Sequence, residues 1–174
     1  LLSEYLFDEL EFRGDEETYS DPRNSLLDEV LTRKLGIPIS LSLLYIEIGR
    51  RLGIPLIGIG MPGHFLVRHV DEQNLFIDPY YGGTLLSVQE CMKRVERITG
   101  TTHWQKRYLD PVGNREFIAR ILRNLKNSYL QRDAYVSALN TIDWLIGLQP
   151  GIPQEIRDRG FLNYRLGNYQ KALI

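Results

Sequence analysis

Apolar residues along this chain switch between helical and strand spacing, and each switch predicts an element. Over residues 1–12, Leu2, Tyr5, Leu6 and Leu10 share one face, which predicts the end of a helix. Residues 13–21 are polar and predict a loop. Asn24 or Ser25 can cap a helix over residues 26–35, with Gly36 as its stop. Pro38 suits the first turn of the next helix, where Leu41, Leu44, Tyr45, Ile48 and Leu52 mark the buried face ahead of Gly53. The spacing then shortens. Residues 55–59, 64–70 and 75–78 are rich in Val, Ile, Leu and Phe and bounded by Gly, Pro and polar residues, which predicts three strands. Tyr80-Tyr81-Gly82-Gly83 predicts a turn. Ser87 with Glu90 forms a capping-box pattern before a helix over residues 88–98. From Arg115 onward the pattern is helical, broken near Arg132 and at Pro150-Gly151.

The helical third repeats. Tyr135 and Ala138 recur as Tyr169 and Ala172, a spacing of 34 residues, which is the tetratricopeptide period. The small alanine lets paired helices approach closely, the tyrosines fill the groove, and Pro150 ends a helix. A generic helical hairpin with coincidental spacing is the simpler alternative. Two such units are too few for a free-standing array, so the first must lean on the domain before it. The predicted fold is therefore α+β: a core with a small antiparallel sheet over residues 1–110, then all-α tetratricopeptide-like helices over 111–174. The chain opens on Leu1 and its pattern stops inside a helix, so both ends read as truncated.

Composition narrows the function. Hydrophobic residues make up 43% and charged residues 25%, ordinary for a globular protein. A net charge of -1 argues against a general nucleic-acid or membrane-surface binder. No apolar run approaches the roughly 18 residues of a membrane helix. A lone cysteine, Cys91, excludes an internal disulfide framework and fits a reducing, cytoplasmic setting. Three histidines without metal spacing, and no paired cysteines, predict neither a metal site nor a cofactor.

One pair of residues points to chemistry. His64 opens the second predicted strand and Asp78 closes the third, across the polar loop Asp71-Glu72-Gln73-Asn74. If residue 64 lies opposite 78, imidazole and carboxylate form a cross-strand pair. A carboxylate beside a histidine fixes its tautomer and raises its basicity, which supplies two thirds of a catalytic triad. A lone histidine in an apolar strand is otherwise a satisfied core residue. Cys91 shares a helix side with Val88 and Val95 and reads as a small core residue rather than a reactive thiol.

The chain resembles the transglutaminase-like superfamily. The resemblance lies in the helix running into Arg51-Leu52-Gly53-Ile54-Pro55, then His64, then Asp78-Pro79. Asn24-Ser25, Gly36-Ile37-Pro38-Ile39-Ser40-Leu41-Ser42-Leu43, Pro62-Gly63-His64-Phe65-Leu66 and Phe76-Ile77-Asp78-Pro79 make it similar to the bacterial SirB-type branch, which is also found inside a eukaryotic F-box protein. The resemblance implies a papain-like core joined to tetratricopeptide-like helices. It also implies a cysteine nucleophile in the first turn of the helix at the Gly-Ile-Pro turn. Here that turn holds Pro38, Ile39, Ser40, Leu41 and Ser42, so the thiol is missing. Ser40 is the nearest hydroxyl and Ser42 the second, and a serine there gains little from the helix dipole. The simpler role for Ser40 is a backbone hydrogen bond at the helix start.

Two functions follow. The first is a noncatalytic transglutaminase-like module whose helical repeats bind a protein or peptide partner in an interaction or regulatory role. The second is a hydrolase or acyl transferase built on Ser40, His64 and Asp78 as a candidate triad. The module is the favoured reading. Oligomeric state and partner identity are not encoded in any motif of the chain.

Overall fold

The computed structural model describes residues 1–173; Ile174, the last residue of the predicted repeat region, lies outside the described residues. The elements in order are β1 (Arg13–Gly14), α1 (Leu27–Arg33), β2 (Leu35–Gly36), α2 (Pro38–Arg51), β3 (Leu56–Ile59), β4 (Leu66–His69), β5 (Leu75–Asp78), β6 (Thr84–Ser87), α3 (Val88–Thr99), α4 (Asn114–Gln131), α5 (Tyr135–Leu148), α6 (Pro153–Arg165) and α7 (Tyr169–Ala172). The fold is thus mixed helix and small antiparallel sheet, followed by a helical region. No helix among the described residues is long and apolar enough to cross a membrane.

The sheet runs β3-β4-β5-β6, antiparallel throughout. Strand alternation sends its two faces to different helices. Val67 packs with Leu41, Leu44 and Tyr45 of α2, while Leu66, Phe76 and Leu86 pack with Cys91 and Val95 of α3. Asp78 has the parity of Phe76 and so faces α3. A third cluster joins Ile37, Ile39 and Phe65 to Phe117 of α4, which seats the helical region against the start of α2. Beyond it, Ala138, Ile142 and Leu162 form the core of the α5–α6 packing. Tyr135 and Tyr169 stand at the first positions of α5 and α7, so the 34-residue period marks equivalent helix starts.

Several expectations need correction. The first helix turns as a π-helix over Glu4–Glu9, with the Leu10 amide donating to the Tyr5 carbonyl. The wider turn buries Leu6 and leaves Tyr5 about half exposed. Asn24 and Ser25 do not cap α1; they lie in a 3-10 turn over Pro22–Ser25, capped by Asp21. Gly36 does not stop α1 either. Lys34 ends it at φ 57, and Leu35–Gly36 then pairs in parallel with Arg13–Gly14, inside the segment expected to be loop. A fourth strand, β6, was not foreseen, because Thr84–Ser87 follows directly on a glycine turn and its last residue doubles as the cap of α3. Val67 pairs with Ile77, so Leu66 rather than His64 falls opposite Asp78, and His64 lies just before β4.

Candidate functional site

Three segments meet at one cleft: the first turn of α2, the turn that leads into β4, and the middle of α4. The turn is tight because Gly63 sits at φ +68, a left-handed conformation that a glycine adopts without steric cost. That geometry turns His64 back toward the end of β5. His64 Nε2 lies 2.8 Å from Asp78 Oδ2, and both residues are buried. Since an ionised carboxylate only accepts, Nε2 carries the proton and Nδ1 keeps the lone pair. The second carboxylate oxygen, Oδ1, accepts from the Tyr80 amide at 3.1 Å.

Arg94 completes the arrangement. Its guanidinium pairs with the same Asp78 Oδ2 that accepts from His64, and stands 3.5 Å from His64 Nε2. It also lies over the Tyr81 ring at 4.7 Å, and Tyr81 in turn stacks on the imidazole at 6.0 Å. Burial, and after it the Arg94 charge, push the His64 imidazole down to about 4. A triad works the other way, with the carboxylate reserved for the imidazolium that forms. Sequence reasoning missed Arg94, although a signal existed. Cys91, Arg94 and Val95 are three and four residues apart on α3, the spacing of one helix face, and the two apolar members are buried.

Ser40 is not joined to this pair. Its hydroxyl donates to the Asn24 carbonyl at 2.6 Å and accepts from the Ile37 amide at 3.0 Å, deep under the start of α2. The two contacts tie the 3-10 turn to the helix. Asn24 itself donates to Asp15 at 2.9 Å and to the Thr18 carbonyl at 2.8 Å, and accepts from Arg33 at 3.0 Å. Ser42 is fully buried, and its hydroxyl finds no hydrogen-bond partner among the described residues. Cys91 is fully buried between sheet and α3, and burial pushes its thiol up to about 12.

The cleft beside His64 has a volume of about 360 Å³. Pro38 and Ile39 line it from the first turn of α2, and Arg120 and Arg123 from α4. Neither cysteine nor serine nor threonine contributes to its wall. Arg120 was also missed by sequence reasoning. It donates to the Met61 carbonyl at 2.8 Å and lies 5.3 Å over Phe65. Among the described residues, no group of three His, Cys, Asp or Glu side chains is placed to hold a metal ion.

Comparison with known proteins gives this geometry a lineage. The family model for the transglutaminase-like superfamily matches residues 1–123. The chain belongs to the transglutaminase-like superfamily. A tetratricopeptide repeat model matches residues 125–174. Over 177 residues the chain is 41% identical to a protein of Xylella fastidiosa named UPF0162 protein, covering 99% of this chain and 63% of that one. A UPF0162 protein of Vibrio cholerae is 35% identical over 170 residues, covering 96% and 63%. The chain therefore spans just under two thirds of these bacterial relatives. Mouse F-box only protein 21 is 39% identical over 95 residues, which are 49% of this chain and 15% of that protein. No solved structure matches. Transglutaminase-like domains so named are thus found here beside helical repeats of a kind that generally mediates protein–protein interaction.

Proposed function

We propose that this chain is a noncatalytic transglutaminase-like module of the SirB-type branch, working with its helical repeats in protein–protein interaction. The core is proposed to extend over residues 1–110 and the repeat region over 111–174, with the first turns of α4 serving both through Phe117. A cytoplasmic location goes with this proposal. One observation carries the noncatalytic reading. The first turn of α2 offers the cleft beside His64 only Pro38 and Ile39, while the hydroxyl of Ser40 is committed to the Asn24 carbonyl. Transglutaminase and cysteine-protease reactions pass through a thioester, which needs a thiolate near the base. The alternative, a hydrolase or acyl transferase, would need Ser40 to give its hydrogen bond to His64 instead.

His64 and Asp78 are proposed as a retained staple, with Arg94 as its third member. It joins the turn before β4, the end of β5 and α3. The test is amine incorporation. The protein is incubated with a fluorescent amine donor and a glutamine-containing acceptor peptide, beside His64→Ala and Cys91→Ser. Equal background in all three is the expected result. Incorporation that disappears in His64→Ala overturns the proposal, and incorporation that disappears only in Cys91→Ser places a nucleophile on α3.

A further inference from the structure

In and around the cleft, most cations are paired with a carboxylate. Arg123 pairs with Glu116 at 3.0 Å and with Glu155 at 3.4 Å. Lys126 pairs with Glu155 at 2.8 Å and with Asp158 at 2.9 Å. Arg94 is taken by Asp78, and Arg33 by Asp15 at 3.5 Å. Arg120 has no carboxylate within ion-pair distance among the described residues, and its polar contacts are the Met61 carbonyl at 2.8 Å and the His64 carbonyl at 3.5 Å. A guanidinium has five N–H donors, so most of this one remains unengaged. Burial, and the charge of Arg123 beside it, pull its pKa below the ordinary arginine value, and the nearby Glu116 charge offsets this only in part. The cleft wall is apolar at Ile37, Pro38, Ile39 and Phe65, and Glu116, Arg123 and Asn124 line it beside Arg120.

We propose that the cleft between α2, His64 and α4 binds a peptide carboxylate, with Arg120 as its counter-charge and the apolar wall taking the adjoining side chain. This rests on the reading of the site as a binding module rather than an enzyme. A carboxylate matches the planar fork of a guanidinium. A phosphate dianion fits less well, because Glu116 lines the same cleft and would repel its second charge. Neutral His64 adds no cation to balance it. The cleft volume of about 360 Å³ sits at the low end of ligand sites, which run from about 300 to 1,000 Å³, and so suits one terminal or acidic residue rather than a long segment.

The test uses fluorescein-labelled short peptides ending in leucine, followed by anisotropy with the full chain. One peptide has a free C-terminal carboxylate, one is its C-terminal amide, and one is an amide with an internal Glu-Leu pair. The proteins are the wild type, Arg120→Gln and Arg68→Gln. Glutamine at 120 keeps a polar N–H donor on a shorter side chain and carries no charge. Arg68 lies on β4 away from this cleft. The expected result is saturable binding of at least one carboxylate peptide by the wild type and Arg68→Gln, weaker by tenfold or more for the plain amide and for Arg120→Gln. Preference between the free terminus and the internal glutamate tells which source of carboxylate is recognised. Equal binding of all three peptides, unchanged binding in Arg120→Gln, or no saturation below about 1 mM overturns the proposal. Mass spectrometry of the peptide separates the two readings: an altered peptide sinks the noncatalytic reading, whereas an unaltered peptide that fails to bind sinks this proposal alone.

Discussion

Lowering the pH should unfold this protein through His64, and the size of the effect can be worked from the site. The imidazole titrates near 4 in the folded state against 6.5 in its ordinary setting. Above pH 6.5 both folded and unfolded chains hold it neutral, so it contributes nothing to pH dependence. Between 6.5 and 4 the unfolded chain takes up a proton that the folded chain refuses. The unfolded state then binds more protons, and stability falls as pH falls. At about 1.4 kcal/mol per unit of pKa difference, the full loss is on the order of 3 kcal/mol by pH 4.

His64→Gln isolates that contribution. Glutamine can still donate to Asp78 but does not titrate, so the variant is less stable at pH 7.5 and flatter below it. Asp21, held down to about 2 first by the hydrogen bond from Arg23, acts in a lower window, with stability lost as pH drops below about 4. The two effects therefore separate. Urea unfolding at steps from pH 7.5 to 4.5 should show the wild type losing about 2 kcal/mol more than His64→Gln. Parallel curves for the two proteins would refute the reasoning, because they would mean that His64 takes up its proton in the folded state as readily as in the unfolded chain.

Other outcomes follow from single contacts. Lys126→Met leaves Glu155 buried without its closest cation and should destabilise by about 3–5 kcal/mol in urea unfolding. Ser40→Ala removes the hydrogen bond to the Asn24 carbonyl and should cost about 1–3 kcal/mol of stability by the same measurement, with no change in carboxylate-peptide affinity. Cys91, fully buried with its thiol pushed up to about 12, should resist iodoacetamide in the folded protein at pH 7.5 and react once urea unfolds it, read by intact mass. Gly14→Ala would place a Cβ 2.5 Å from the Tyr80 ring and should lower stability by about 1–3 kcal/mol.

Much of the scaffold was legible because it obeys local rules. α2 could be read from Pro38 and the apolar face that follows it, and α3 from the reciprocal capping of Ser87 and Glu90, which the structure forms at 2.7 and 3.3 Å. What escaped notice depends on distant partners. β1 and β2 have two residues each and exist only because residues 13–14 and 35–36 meet. Asn24 looked like a cap by residue type, yet its amide is spent on Asp15 and the Thr18 carbonyl. The approach of His64 to Asp78 was foreseen from strand parity. Its register was not, because Gly63 places His64 before the strand rather than in it. Arg94 and Arg120 were passed over for a shared reason. Arginine in an amphipathic helix looks solvated in sequence, and only the packed structure shows which guanidinium has turned inward.

Those two arginines explain how an acid–base pair becomes a binding site. They approach the same turn from different helices, Arg94 through the Asp78 carboxylate and Arg120 through the Met61 and His64 carbonyls. A carboxylate carries one negative charge. Once Arg94 takes it, little is left to stabilise an imidazolium, and His64 stays neutral far below the pH at which a general base would work. Its Nδ1 lone pair remains as a hydrogen-bond acceptor, and the cation of the cleft without an ion-pair partner among the described residues is Arg120 on α4. Arg120 stands on α4 beside the apolar cluster of Ile37, Ile39, Phe65 and Phe117, which seats that helix on the start of α2. A group bound there would touch α2 and α4 together, so binding in the cleft and the seating of α4 on α2 favour one another.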